Sequence, residues 1–393
     1  MTQFFADFHI HVGINEQGRW VKIPTSRHLT VRNIFEEAAT RKGMQVIGIV
    51  DALSPSVLHD LTILLQEGCL TELPGGGYSY NRELTVLLGA EIETAEEQGG
   101  LAHTLIFLPD IVTMTHFSNY MSQHIRNIHI SSQNAHMSLK NLISIASGYN
   151  AAIIPAHVFT PHKSVFGNCT DRLANILPEK ERSKVTAIEL GLSADTFMAD
   201  RISELSEFTF LSNSDAHSLE KIAREYNIIA VPTADYANFL NALNRKNGCE
   251  ICANYGLNPR LGKYHLTSCR SCGKVVDENN QAGLCPICGG KLTRGVAERI
   301  NQIADRLQPV HPLHRPPYFF QIPLEFIPGL GKKTFNKLLE RFKTEMQILH
   351  CASFSDLSEL VGSGIANSII ENRKGQVKII GGGGGIYGRL AKN

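Results

Sequence analysis

The stretch Ala6-Asp7-Phe8-His9-Ile10-His11 reads as a strand that ends in two histidines. Side chains alternate along a strand, so His9 and His11 share one face while Phe8 and Ile10 take the other. Two imidazoles on one face at a strand's end can ligate one metal ion. Alone, the pair fits an exposed polar strand equally well.

Further along, short apolar runs read as buried strands: Val46–Val50, Leu84–Leu88, Thr104–Leu108, Ala151–Ile154, Ala187–Leu190 and Phe208–Leu211. Helical patterns lie between some of them, over Val31–Lys42 and Leu139–Ser147. Such alternation predicts an α/β fold with a parallel sheet or barrel. On such folds, catalytic residues gather at the C-terminal ends of strands.

These runs deliver ligand-type residues at or near one end. Asp51 follows the second strand and Glu91 the third; His103 precedes Leu105–Leu108, and His157 follows Ala151–Pro155. Glu189 sits in Ala187–Leu190, and Asn213-Ser214-Asp215-Ala216-His217 follows Phe208–Leu211. A single one of these is more often a capping or surface residue. Their recurrence points to a metal site with ligands His9, His11, Asp51, Glu91, His103, His157, Glu189, Asp215 and His217. So many ligands imply more than one ion, and the His/carboxylate mixture suits Zn²⁺, Mn²⁺ or Fe²⁺ better than Mg²⁺ alone. Metals about 3.5–4 Å apart stabilise the attacking and leaving oxygens of an in-line phosphoryl displacement. Phosphoester hydrolysis is the expected reaction, with His9, His11, Glu91 and Asp215 at its centre.

A chain of 393 residues allows two or three domains. Its net charge of +1 hides an asymmetry. Residues 1–246 carry 19 Lys+Arg against 26 Asp+Glu, a net of −7, while residues 247–393 carry 19 against 11, a net of +8. A basic part joined to an acidic one suggests a polyanionic partner. No run of about 18 apolar residues predicts a membrane span. Met1 is followed by polar and aromatic residues, so no secretory signal is expected.

Six of the nine cysteines form pairs with two residues between: Cys249/Cys252, Cys269/Cys272 and Cys285/Cys288. This is metal spacing in a reducing compartment, so a cytoplasmic protein is expected. The last two pairs, twelve residues apart, predict a structural Zn²⁺ site of four thiolates. Cys249/Cys252 would leave a pair orphaned if it joined them, and is read as buried or incidental. Between these pairs, Asn258-Pro259-Arg260-Leu261-Gly262-Lys263-Tyr264-His265 offers Arg260, Lys263, Tyr264 and His265 for phosphate contacts and base stacking.

His311–Pro317, with three prolines, reads as an extended linker. Beyond it, Phe335–Phe342 and Leu357–Asn372 are helical patterns. Ile327-Pro328-Gly329-Leu330-Gly331-Lys332-Lys333-Thr334 looks like a helix-hairpin-helix, whose glycines free backbone N–H groups for a DNA phosphate. Gly329 and Gly331 shape that turn, Lys332 and Lys333 add charge, and a weaker copy stands 33 residues on, at Gly362. For Gly381–Gly385, composition favours a flexible tail over a backbone-approach loop. The expected division is 1–246 for the metal domain, 247–297 for a zinc ribbon and 298–393 for a helical DNA-binding domain.

The order of motifs resembles the polymerase and histidinol phosphatase (PHP) superfamily. His9/His11 match its first motif, Gly89-Ala90-Glu91 its Glu motif, and His103, His157 and Asp215/His217 its later ones. Its Thr-Asp-His motif is matched only by Asp51, with Ala52 where the His is expected. With the ribbon, the segment Pro259–His265, Glu189-Leu190-Gly191-Leu192-Ser193 and a Gly-rich end, the chain resembles the endonuclease Q family over nearly its full length.

That resemblance implies a distorted PHP barrel of the (β/α)7 type, a four-cysteine zinc ribbon and a small helical domain. It also implies a multinuclear site of Zn²⁺, Mn²⁺ or Mg²⁺, and a monomer that nicks duplex DNA 5′ to uracil, hypoxanthine, xanthine or an abasic site. The damaged nucleotide would be extruded. Phe159 and Phe166, near His157, are candidates to line its pocket, although core packing explains them as well, and Lys163 and Phe166 are counted among the DNA-binding residues. Two rivals are a PHP phosphatase or exonuclease acting on other phosphoesters, and a non-catalytic binder of damaged DNA. The basic half argues against the first, and the near-complete ligand set against the second.

Overall fold

The strand Thr2–Ile10 (β1) is exposed at its start and wholly buried from Ala6 onward, so both histidine motif residues enter the core. Its neighbours are β2 (Val46–Ile49), β3 (Leu70–Glu72), β4 (Tyr78–Tyr80), β5 (Leu84–Ala95), β6 (Leu101–Leu108) and β7 (Ala152–Pro155). Then come β8 (Ala187–Glu189), β9 (Thr209–Leu211), β10 (Tyr226–Val231) and β11 (Glu250–Gly256). This computed structural model describes residues 1–276, 283–376, 379–382 and 385–390. All six apolar runs expected as strands are strands.

The sheet is mixed. β1, β2 and β5 run parallel, β6 returns antiparallel to β5, and β7, antiparallel to β6, resumes the first direction. β8 and β9 form a parallel pair of their own. Two seams join that pair to the rest without a strand ladder. At one, the Thr186 N–H donates to the Ile153 carbonyl (2.9 Å), and the Ile153 N–H to the Thr186 hydroxyl (3.1 Å). At the other, buried amides take the ladder's place. The Phe8 N–H donates to Asn213 Oδ1 (3.1 Å), Asn227 bonds both backbone groups of Ser212, and Asn254 Nδ2 donates to the Phe210 carbonyl (3.0 Å). Buried backbone groups must be paired, and an amide carries both a donor and an acceptor. The ring so closed is a distorted α/β barrel, and the ligand-bearing strand ends face one pole.

The sheet also runs past the expected 246/247 division. β11 pairs with β10, and a strand at Tyr318–Phe320 pairs with β11. The expected linker His311–Pro317 is docked: Arg315 and His311 bond the buried Asp200 at 2.8 and 2.6 Å. Helix Val31–Glu36 continues as a wider π-turn over Glu37–Lys42 and stops at Gly43. Leu139–Ala146 is helical, capped by Ser138, with Leu139, Leu142, Ile143 and Ala146 buried. The pattern at Leu357–Asn372 is two helices, Phe354–Val361 and Ser363–Arg373, because Gly362 takes φ +81° between them. Of the expected tail Gly381–Gly385, Gly383 and Gly384 lie outside the described residues. No helix among the described residues is long and apolar enough to cross a membrane.

Candidate metal centre

His9 and His11 are buried, and a carboxylate holds each ring from behind. His9 Nδ1 lies 3.0 Å from Glu189, and His11 Nδ1 lies 3.1 Å from Asp51. Their Nε2 atoms are buried with no hydrogen-bond partner. Both face Asp215 Oδ1, at 3.5 and 3.4 Å, and His217 Nε2 approaches the same oxygen at 3.3 Å. A second group stands beside the first: Glu91 Oε1 lies 2.7 Å from His103 Nδ1 and 3.3 Å from His157 Nε2. Glu91 also reaches His9 and His11 Nε2, at 3.7 and 3.6 Å, so it lies between the groups.

His9/His11/Asp215 and Glu91/His103/His157 thus form two triads, each able to offer a cation three convergent atoms. Orphaned imidazole nitrogens are costly inside a protein. A divalent ion would satisfy them, and the His/carboxylate donor set suits a transition metal.

Two expected ligands, Asp51 and Glu189, fall outside the two triads. Asp51 is spent on His11 Nδ1, the Val12 N–H (2.6 Å) and the Ser131 hydroxyl. Glu189 is spent on His9 Nδ1, the His157 N–H (3.1 Å) and Asn213 Nδ2 (3.2 Å). Both orient imidazoles from the side away from the triads, as carboxylates behind metal-binding histidines do.

Sequence reasoning missed their counterpart, Glu93, which lies 3.3 Å from His103 Nε2. Its signal was available: in β5, Glu91 and Glu93 alternate onto one face. Lys22 was missed too. Its ammonium is 2.8 Å from Glu91 Oε2 and also bonds Ser132. It comes from an irregular segment, and no local pattern marks it.

The site is strongly polarised. Burial disfavours a charged His9, but Glu189, Asp215 and Glu91 outweigh it and raise its pKa to about 10. Burial likewise works against the carboxylates, yet His103 and Lys22 hold Glu91, and His9 and His11 hold Asp215, well below the usual range. Asp215 and His157 have φ of +45° and +32°. Such backbone costs on the order of 1–3 kcal/mol per residue and clusters at functional sites. Gly191 permits the second turn, since a Cβ there would stand 2.7 Å from His157 Cβ.

The triads open on a cavity of about 240 Å³, whose lining also includes Arg224, Lys263, Tyr264 and Tyr387. Lys163 lines it, with its ammonium 2.8 Å from Glu93. Phe166 does not reach it. That ring is fully buried and stacked on buried Phe159, 5.5 Å between centroids, so both are core residues. His265 Nδ1 lies 3.4 Å from the Ser193 carbonyl, outside the cavity lining. Arg260 is exposed.

In the ribbon the four sulfurs converge, Cys269 to Cys288 at 3.4 Å and Cys272 to Cys285 at 3.8 Å. The Ser271 and Cys272 N–H groups donate to Cys269 Sγ. Cys249, buried just before β11, and Cys252, half-buried within it, lie apart from this cluster. Gly329 takes φ +84°, Gly331 precedes helix Lys332–Phe342, and Lys332 and Lys333 are exposed.

A sequence model described as PHP-associated matches residues 195–247. The uncharacterized protein YqxK of Bacillus subtilis is 42% identical over 99% of this chain and all of its own length. The uncharacterized protein MJ0043 of Methanocaldococcus jannaschii is 40% identical over 225 residues, 52% of this chain and 28% of that protein. The crystal structure of the lesion-specific endonuclease PfuEndoQ from Pyrococcus furiosus superimposes with a TM-score of 0.84 at 30% identity, over 99% of this chain and 95% of its own. This chain belongs to the endonuclease Q family. An endonuclease Q bound to a 27-mer duplex with an abasic lesion at the active site gives a TM-score of 0.86 at 29% identity, over 100% of this chain and 97% of that one. The PHP-type α/β fold of endonuclease Q and its full length are therefore shared.

Proposed function

We propose that this protein is a metal-dependent DNA endonuclease that hydrolyses the phosphodiester 5′ to a deaminated base or an abasic site. The observation that carries the reading is the pair of ligand triads that meet at Glu91 under an open cavity, in a chain of the endonuclease Q family.

His9, His11 and Asp215 would hold one ion, and Glu91, His103 and His157 another, with His217 at the edge of the first. Zn²⁺, Mn²⁺ or Mg²⁺ ions there would supply Lewis-acid charge and a bound water of lowered pKa. The chain's own residues do the rest. Glu189, Asp51 and Glu93 fix the imidazoles, and Lys22 places a positive charge beside Glu91. The cations Arg224 and Lys263 at the cavity and Lys332 and Lys333 on the helical domain suit contacts with duplex backbone. The turns at Gly329 and Gly362 are the proposed hairpins for phosphate. The ribbon cysteines would hold a structural Zn²⁺. A protein acting in the cytoplasm accords with the metal-type cysteine pairs.

The test uses end-labelled duplexes with one uracil, hypoxanthine or abasic site, incubated with Mg²⁺ or Mn²⁺ and mapped at nucleotide resolution. A single cut 5′ to each lesion is expected. Turnover of an aryl phosphate without nicking would make the protein a phosphatase instead, and tight binding without cleavage a damage sensor.

A further inference from the structure

The glycine-rich end is not a free tail. Ile379–Ile380 pairs antiparallel with Arg389–Leu390, so the segment doubles back. It then lies along Arg260–Lys263: the Gly382 N–H donates to the Arg260 carbonyl (2.6 Å), Gly388 to Leu261 (2.8 Å) and Gly385 to Lys263 (3.3 Å). Only glycine fits the crossing. A Cβ on Gly388 would meet the Ile380 carbonyl oxygen at 2.5 Å, and one on Gly382 the Leu261 oxygen at 2.9 Å.

This docking delivers one aromatic side chain to the metal cavity. Tyr387 lines it together with Asp215 and His217, yet remains 42% exposed. Its ring centroid is 5.7 Å from the Lys263 ammonium and 6.0 Å from the Arg224 guanidinium. The same Lys263 ammonium is 4.9 Å from the Tyr264 ring, so two aromatic rings neighbour one cation in the lining of this cavity. An exposed ring beside cations is what proteins offer an unpaired base, because every base has a π-face to stack.

We propose that Tyr387 is a specificity-determining residue: its ring forms a stacking wall for the base of the nucleotide that enters the metal cavity. This rests on the endonuclease reading above. A rival role is built into the same contacts. Arg224 donates to the carbonyls of Ser214 (2.6 Å) and Asp215 (3.0 Å), so Tyr387 could act only by bracing Arg224 and the Asp215 turn. The two roles differ on a lesion that has no base.

The experiment compares wild type, Tyr387→Phe and Tyr387→Leu in the full-length chain, on duplexes with uracil, hypoxanthine or an abasic site. With Tyr387→Leu, kcat/KM on uracil and hypoxanthine should fall about ten-fold or more, the effect of losing one stacked base. Cutting at the abasic site should be unchanged, and Tyr387→Phe should match wild type on all three. Equal losses on all three duplexes by Tyr387→Leu, or no loss on any, would overturn the proposal. Photocrosslinking the unaltered chain to a duplex with 5-iodouracil at the lesion position avoids any folding defect. Attachment at Tyr387 is expected, and attachment only elsewhere would overturn the proposal. A wild type that nicks none of the duplexes refutes the endonuclease reading itself, whereas a wild type that nicks all three leaves only Tyr387 in question.

Discussion

The Asp51 carboxylate binds His11 on Nδ1, at 3.1 Å, and so faces away from the Nε2 that meets Asp215. Asp51 is therefore placed to orient His11 behind the His9/His11/Asp215 triad. Asp51→Asn should weaken metal affinity by about 10- to 100-fold, as removal of such partners does, without deleting a site. Activity should return when metal is raised. Elemental analysis after dialysis checks this: an ion lost outright at saturating metal would make Asp51 a ligand after all.

Lys22 is expected to matter for turnover. Its ammonium is 2.8 Å from Glu91 Oε2 and lines the cavity that would take the phosphodiester. A fixed cation at a reacting phosphoryl group acts mostly on the transition state. Lys22→Met should lower kcat by about 100-fold with a smaller change in KM, and Lys22→Arg should recover part of it. Single-turnover rates at saturating DNA provide the measurement, and an unchanged kcat would remove Lys22 from the account.

Glu225 gives the fold a pH dependence. Its side chain is buried, with the Leu257 N–H donating to Oε1 at 2.9 Å and Oε2 unpartnered. Burial, helped by Glu189 and Asp7 against Arg224, lifts its pKa from 4.5 to about 8. The native state therefore keeps a proton that the unfolded chain releases. Stability from this group is complete below the unfolded value of 4.5 and declines as pH rises toward about 8. Glu225→Gln should flatten that slope. Melting temperatures of both proteins across this range decide, and parallel curves would refute the assignment.

The ribbon makes a separate prediction. With four sulfurs converging, a metal held there would be structural. Cys285→Ser should remove one zinc per chain and loosen the ribbon around it, because metal binding and folding are coupled in such modules. Metal bound at the two triads should stay. Zinc content and limited proteolysis test this together, and full zinc retention would contradict it.

Much of the site was legible because strand ends are legible. An apolar run followed by Asp, Glu or His marks a position that any α/β barrel carries to one pole, and Glu91, His157 and Asp215 were found that way. What the sequence does not carry is which ring nitrogen a carboxylate meets, so Asp51 and Glu189 were grouped with the ligands they orient. Lys22 lies in an irregular segment and reaches the site through tertiary structure alone. β11 was assigned outside the barrel domain because antiparallel pairing across an intervening helix and turn leaves no periodic trace. Composition alone makes Gly381–Gly385 a tail, whereas Gly382 and Gly385 bond the Arg260–Lys263 backbone and Gly382 has no room for a side chain.

The central claim is that the two triads are the catalytic centre of a DNA endonuclease, and Asp215 is its most exposing residue. Its Oδ1 meets the Nε2 atoms of His9, His11 and His217 within 3.5 Å. The decisive measurement is the rate at which Asp215→Asn nicks an end-labelled duplex with a single uracil or abasic site, relative to wild type, with metal at saturation. The account predicts a cut 5′ to the lesion by wild type and a rate lower by at least about 1,000-fold for the variant, whose neutral amide stabilises a cation poorly. Cleavage by Asp215→Asn at the wild-type rate would contradict it.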